Sequence, residues 1–280
     1  MATVLLTGGT GYLGSRLVGP LLGAGHRVVV LKRASSSLAR LGAFVERIEL
    51  SDELPARADA AVHCATNYGR SGDDPDLEEA NVRLPQRAAA VPGLRAFLNV
   101  DTALPPEASD YARTKAGFRR WLERSASPPV RVNAAVEHFY GPGDDPSKFV
   151  SHVIGRLLAG AERIDLTAGE QERDFIHVED VTSALVVLLD WSLRAAGGFH
   201  RFDVGSGAPI SIRALVERLR DLTGNEVTRL AFGNLPYRPF EVMKSRADTA
   251  ALVGLGWRPR IPLEEGLRRT VEEERSRLKP

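Results

Sequence analysis

TVLLTGGTGYLG, residues 3–14, decides the fold. Thr3 to Thr7 is a short β-branched and apolar run that reads as a strand. Leu13 opens a helical pattern that continues to Leu22. Between them Gly8 permits a tight turn, Gly11 lets backbone approach a pyrophosphate, and Gly14 lets helix and strand pack closely. A glycine triplet alone is an ordinary turn. Set between a strand and a helix, with a second strand in RVVVL (27–31), it points to a dinucleotide on a helix N-terminus.

The residues after the second strand sharpen this reading. An acid there would hold a ribose 2′-hydroxyl. Lys32 stands in its place, 24 positions after Gly8, and Arg33 and Ser35 follow. Two cations would attract a 2′-phosphate, and the expectation is therefore NADPH rather than NADH.

Working outward, further strands are read in AAVHC (60–64), AFLNV (96–100) and VRVNAAV (130–136), with helices between them, Tyr111 to Ser125 among these. The alternation predicts an α/β chain, a Rossmann doubly wound parallel sheet. The rhythm breaks at YGPGDDPS (140–147). The expected division is a dinucleotide-binding domain of 1–139 and 175–203, and a smaller C-terminal α/β substrate lobe of 140–174 and 204–280.

A second constellation lies in SDYARTK, residues 109–115. Ser109 or Asp110 caps a helix, and Tyr111 and Lys115 are one turn apart on one face. A free phenol titrates near pH ~10. A nearby ammonium favours the phenolate, which makes Tyr111 a candidate general acid–base at a carbonyl. Thr102, just past AFLNV, is the candidate third polar group, with Asp101 beside it. In HCAT (63–66) a hydrogen-bonded structural role is read for His63 and an inert thiol for Cys64.

Bulk properties narrow the classes. The 280 residues carry 37 basic and 36 acidic side chains, a net charge of +1. That balance gives no footprint for nucleic acid or an anionic membrane. One cysteine excludes an intrachain disulfide and a cysteine-rich metal site, and no metal is expected. No apolar run reaches membrane-spanning length, and no charged leader precedes the first strand, so a soluble cytoplasmic protein without a membrane partner is expected.

Taken together, TGGTGYLG, HCAT, Asn81 in EEANVRLP, YARTK, EHFYGPGD (137–144), GEQERDFIHVEDV (169–181), VGSG (204–207) and RADTAALVGLGWRPR (246–260) resemble the extended short-chain dehydrogenase/reductase family over nearly the whole chain. This is the family of nucleotide-sugar epimerases, dehydratases and ketoreductases. Within it the resemblance runs to the CDP-abequose synthase-like 4-ketoreductases. It implies Thr102, Tyr111 and Lys115 as catalytic residues. It implies Gly8, Thr10, Gly11, Tyr12, Leu13, Gly14, Lys32, Arg33, Ser35, Cys64, Ala65, Thr66, Asn81, Val136 and His138 around the cofactor, together with Tyr111 and Lys115. It implies Thr66, Thr102, Glu137, Phe149, Arg173 and Arg238 around a nucleotide-diphosphate sugar, the two arginines on the diphosphate or otherwise in salt bridges. Asn81 would stabilise a turn near the site or make a polar contact at a helix N-terminus.

The chain departs from the family pattern in three places. Only eight residues separate Thr102 from Tyr111, Ala135 stands where many relatives carry arginine, and IELSDELPA lacks the acid that commonly meets adenine. The expected reaction is NADPH-dependent reduction of the C4 ketone of a nucleotide-linked 4-keto-6-deoxyhexose. The alternative is an epimerase or dehydratase that retains NAD, and a third reading is a catalytically silent nucleotide-binding sensor. A homodimer through helices 77–90 and 111–125 is expected by analogy.

Overall fold

The β-branched runs of the first half form strands in a computed structural model that describes residues 1–69 and 74–278. In chain order come β1 (Thr3–Thr7), α1 (Tyr12–Gly23), β2 (Arg27–Leu31), β3 (Glu49–Ser51) and β4 (Ala60–His63). A helical stretch follows as α2 (Pro75–Glu78), a π turn (Glu79–Arg83) and α3 (Leu84–Ala89). Then come β5 (Ala96–Thr102), α4 (Asp110–Arg124), β6 (Val130–Val136) and β7 (His138–Tyr140). The second half supplies α5 (Phe149–Leu158), β8 (Arg163–Leu166), β9 (Glu172–Arg173), β10 (Phe175–His177), α6 (Val178–Ser192) and β11 (Gly198–Val204). It ends with β12 (Ile210–Ser211), α7 (Ile212–Thr223), β13 (Arg229–Phe232), α8 (Ala250–Gly254) and α9 (Leu263–Arg277).

The chain divides into two units. One is Met1–Val136, Thr182–Val204 and Ala250–Arg258; the other is Glu137–Val181, Gly205–Thr249 and the remainder from Pro259. The first holds a parallel seven-stranded sheet in the order β11-β6-β5-β4-β1-β2-β3. Strand order reverses between β1 and β4, which is where ligands bind in open α/β sheets. Central strands of such a sheet are covered on both faces and need apolar residues throughout. Val4, Leu5, Leu6, Ala60, Ala61 and Val62 are accordingly fully buried. On one face Phe118 and Leu122 of α4 close over Leu5, Ala61 and Phe97.

β5 runs two residues beyond the expected end. Its pairing with β6 continues in register to Thr102 opposite Val136, so Thr102 is a strand residue rather than a loop residue. The segment 250–258 groups with the first unit, although the whole of 204–280 was expected in the lobe. Its indole anchors it there: Trp257 is buried, and its Nε1 donates to Ser183 Oγ at 2.8 Å.

In the second unit α5, α7 and α9 bring Val153, Ile154, Leu215, Leu219 and Leu267 into one core with Ile164 and Leu166 of β8. β8 pairs in parallel with β13. A buried carboxylate organises the loops here. Asp174 accepts from the backbone N–H of Ser206 at 2.8 Å, Gly207 at 2.8 Å and Ala247 at 3.1 Å, and from Ser206 Oγ at 2.5 Å. Removing it leaves three backbone donors unmatched in a buried setting. Asp174→Ala is expected to cost at least about 3 kcal/mol of stability, read as a lowered denaturant midpoint.

Candidate active site

The β1–α1 turn is built from glycines because nothing larger fits. Gly8 has φ +71°, and a Cβ on it would lie 2.4 Å from Ala65 N. A Cβ on Gly14 would lie 2.2 Å from Gly8 O. The turn is thus pressed against the chain leaving β4. Gly11 is exposed and forms the N-cap of α1 without a side-chain cap, and a helix N-terminus of this kind favours an anion. This cradle suits the pyrophosphate of a dinucleotide. Around it Leu13 is buried, Thr10 half-buried, and the Tyr12 ring has the Arg16 guanidinium 4.8 Å from its centroid. At the end of β2, Lys32 is half-buried while Arg33 and Ser35 are exposed. The following turn is fastened by Ser36, whose Oγ accepts from Arg33 N at 3.1 Å.

α4 starts at Ser109, whose Oγ accepts from Ala112 N at 3.1 Å; Asp110 instead pairs with Arg113 at 2.9 Å. That phase turns Tyr111 and Lys115 toward β5. The Lys115 ammonium is buried and donates to the Val100 carbonyl at 2.6 Å. Burial holds its pKa below the ordinary lysine value, with the Asp101 carboxylate and Cys64 opposing. Burial raises the Tyr111 phenol above its ordinary range. Tyr68, whose ring centroid is 4.9 Å away, and Asp101 add to the rise. The Thr102 and Thr66 hydroxyls oppose it.

Thr66 has one proton to donate, and Asn81 Oδ1 takes it at 3.2 Å. Asn81 Oδ1 also accepts from Asn67 N at 2.9 Å, and its amide donates to Asn67 O at 2.8 Å and Thr114 Oγ1 at 3.0 Å, which fixes the amide orientation. Thr102 Oγ1 accepts from Leu104 N at 3.2 Å. Asn81 is fully buried within the π turn and ties the 66–67 loop to α4.

His63 and Cys64 line the other side of Lys115. His63 is fully buried, with Nδ1 2.7 Å from Thr7 Oγ1. Burial and the Lys115 charge keep the imidazole well below its ordinary pKa, hence neutral. Burial pushes the Cys64 thiol up to about 12 against the Lys115 charge. A thiol at neutral pH is a poor nucleophile.

In the second unit the expected substrate residues are differently engaged. Both Glu137 oxygens accept from Ser245 Oγ at 2.7 Å, and His138 Nδ1 lies 3.5 Å from Glu137 Oε2. Arg173 is buried, ion-paired with Glu241, and donates to the Glu172 carbonyl at 2.8 Å. Of the two roles left open for it, the salt bridge is the one made here. Arg238 is exposed and begins the turn that delivers Glu241, whose N–H donates to Arg238 O at 3.1 Å. Phe240 in that turn has φ +60° and is exposed. Phe149 is half-exposed at the start of α5, and Val136 is buried at the end of β6. Sequence reasoning missed Tyr68 and Glu241. An aromatic beside HCAT was a usable signal for the first, and none existed for the second.

A doubly wound parallel sheet with a glycine cradle at its switch point and a tyrosine–lysine pair on a facing helix defines an NAD(P)-binding oxidoreductase. A profile of the NAD dependent epimerase/dehydratase family matches residues 4–205, and the chain belongs to that family. It is similar to CDP-abequose synthase of Salmonella muenchen, at 28% identity over 96% of each chain. It is also similar to UDP-glucose 4-epimerase of Mycolicibacterium smegmatis, at 30% identity over 96% of this chain and 97% of that one. Among solved structures, MoeE5 in complex with UDP-glucuronic acid and NAD superposes with a TM-score of 0.81 at 25% identity, covering 99% of this chain and 100% of MoeE5.

The comparison corrects the expected cofactor. MoeE5, in complex with UDP-glucuronic acid or with UDP-glucose, holds NAD, against the NADPH inferred from Lys32 and Arg33. Arg33 is exposed and Lys32 half-buried at the strand end. A cation in contact with water attracts a phosphate weakly through water and salt, and neither cation repels a ribose carrying two hydroxyls. No helix among the described residues is long and apolar enough to cross a membrane.

Thr102 can be tested through the pH dependence of sugar oxidation, which requires the phenolate. Its hydroxyl lowers the Tyr111 pKa, so Thr102→Val raises it further. The rising limb of the rate profile is expected to move to higher pH, with the plateau rate lower by about 10²-fold. A profile unmoved in pH would remove Thr102 from the site.

Proposed function

We propose that this chain is an NAD-dependent epimerase that inverts the C4 hydroxyl of a nucleoside diphosphate sugar. The observation that carries the proposal is the Tyr111–Lys115 pair on one face of α4, with Lys115 donating to the Val100 carbonyl of β5, in the same unit as the glycine cradle. Support comes from the near full-length similarity to a UDP-glucose 4-epimerase and from the NAD and UDP-sugar in matched MoeE5.

The cradle of Gly8, Gly11 and Gly14 would hold the NAD pyrophosphate, and bound NAD supplies a reversible acceptor for one hydride. The remaining work falls to the chain. Tyr111, as phenolate, takes the proton of the sugar hydroxyl while the attached carbon gives up its hydride. Thr102 donates to the tyrosine oxygen and steadies its negative charge. Once the ketone has presented its other face and bound NAD would return its hydride, Tyr111 gives the proton back to oxygen. Sugar and enzyme end with the atoms and electrons they began with. Lys115, on the same helix face, keeps a positive charge beside β5. Arg173 in the second unit is the candidate for the diphosphate once Glu241 yields.

Dehydration fits less well. It needs a free acid beside Thr102, and the Asp101 carboxylate is already committed to Arg119 and Asn133, while Ala103 follows. C4 ketoreduction is the second reading, favoured by the similarity to CDP-abequose synthase over nearly the full length.

Purified protein is expected to release NAD on heat denaturation and to interconvert UDP-glucose and UDP-galactose without added cofactor, followed by NMR. Stoichiometric NADH consumption with a 4-keto-6-deoxyhexose nucleotide, and no interconversion, would establish ketoreduction instead. In either reaction Tyr111→Phe is expected to lower kcat by about 10²–10⁴-fold. Self-association through the helical stretch 75–89 and α4 belongs to the same proposal, and a solution mass of one chain would overturn it.

A further inference from the structure

We propose that Asp101, clamped by Arg119 and Asn133, is a positioning residue that fixes Thr102 and sets the electrostatic balance of the Tyr111–Lys115 pair. This deepens the hydride-transfer reading of the site and holds whichever product is formed.

The geometry is specific. The Asp101 side chain is fully buried. Its Oδ2 accepts from Arg119 Nη1 at 2.6 Å and Asn133 Nδ2 at 3.0 Å, and its Oδ1 accepts from Thr102 N at 2.8 Å. Asn133 is held in turn by Asn99, whose amide donates to Asn133 Oδ1 at 2.7 Å across the paired strands β5 and β6. On α4, Tyr111, Lys115 and Arg119 follow one another at intervals of four and share one stripe. That stripe meets β5 with Lys115 at the Val100 carbonyl and Arg119 at the Asp101 carboxylate. The second contact holds the register that carries Tyr111 one turn further along the same stripe.

Asp101 also acts through its charge. A buried carboxylate stabilises a nearby cation and destabilises a nearby anion. Its field helps Lys115 keep a proton against burial and holds the proton on Tyr111. The other titratable and charged groups around this pair are His63 at the end of β4 and Cys64 after it, Tyr68 against the phenol, and Arg119 on α4. His63 is neutral and Cys64 a thiol at neutral pH, which leaves Asp101 and Arg119 as the opposed fixed charges. Arg119 partly offsets Asp101, so altering either one unbalances the pair in opposite senses.

Asp101→Asn and Arg119→Gln test this. Two readouts serve, the pH midpoint of NAD+ binding followed by tryptophan fluorescence with no sugar present, and the rising limb of sugar oxidation. Asp101→Asn is expected to move both midpoints to lower pH by about one unit, and Arg119→Gln to move them to higher pH. KM for the nucleotide sugar is expected to stay within about twofold of the parent, since neither side chain is placed on substrate. Loss of thermal stability or of kcat with both midpoints unmoved would assign the cluster a purely structural role and overturn the proposal. Arg119→Gln keeps a donor toward Asp101, so it remains informative if Asp101→Asn fails to fold. The binding midpoint needs no turnover, so it stands even if sugar oxidation is not observed and the reaction assignment fails.

Discussion

A lysine ammonium buried against the face of a parallel sheet is the constraint around which the first unit is arranged. Desolvating such a charge costs several kcal/mol, on the order of what a whole domain has to spare. Lys115 meets the cost with a short bond to the Val100 carbonyl and the field of Asp101. Both partners sit on β5, and α4 can reach them in one register only. The same register places Tyr111 one turn earlier on α4. The placement of the proposed catalytic pair follows from how a buried charge is satisfied.

The neighbouring constraints interlock with it. Gly8 lets the first turn lie against Ala65, and Ala65 continues into Thr66, the second hydroxyl at the phenol. Asn81 joins that loop to α4 through both ends of its amide. The glycine turn and α4, the elements proposed to hold the dinucleotide and the proton-transfer group, are thus mechanically linked through about two residues of backbone at the end of β4. In the second unit Asp174 plays an organising part of similar kind for the loops at Ser206 and Ala247.

Much of the first unit was legible from local pattern. Five strands and the two helices that carry motifs fall where alternation and caps placed them. The misreadings share a cause. Thr102 was assigned to a loop because the strand signal in AFLNV ends at Val100, whereas pairing with β6 extends the strand to Thr102. Segment 250–258 was assigned by its position in the chain, whereas Trp257 anchors it through Ser183, 74 residues away. NADPH was inferred from the sign of two charges, and their exposure decides how much that sign matters.

The amino-acid sequence by itself determined the class of fold, the glycine cradle and the tyrosine–lysine spacing. Each is a local property: backbone periodicity, the absence of a Cβ, a one-turn interval on a helix. Tertiary structure alone decided which partner each polar group takes. Arg173 meets Glu241 from 68 residues away, and Asn81 meets Thr114 from 33. Asp101 became an anchor rather than a free acid because Arg119 and Asn133 reach it first. Burial then settled the protonation of His63, Cys64 and Tyr111, since the cost of a charge depends on what surrounds it rather than on its neighbours in the chain.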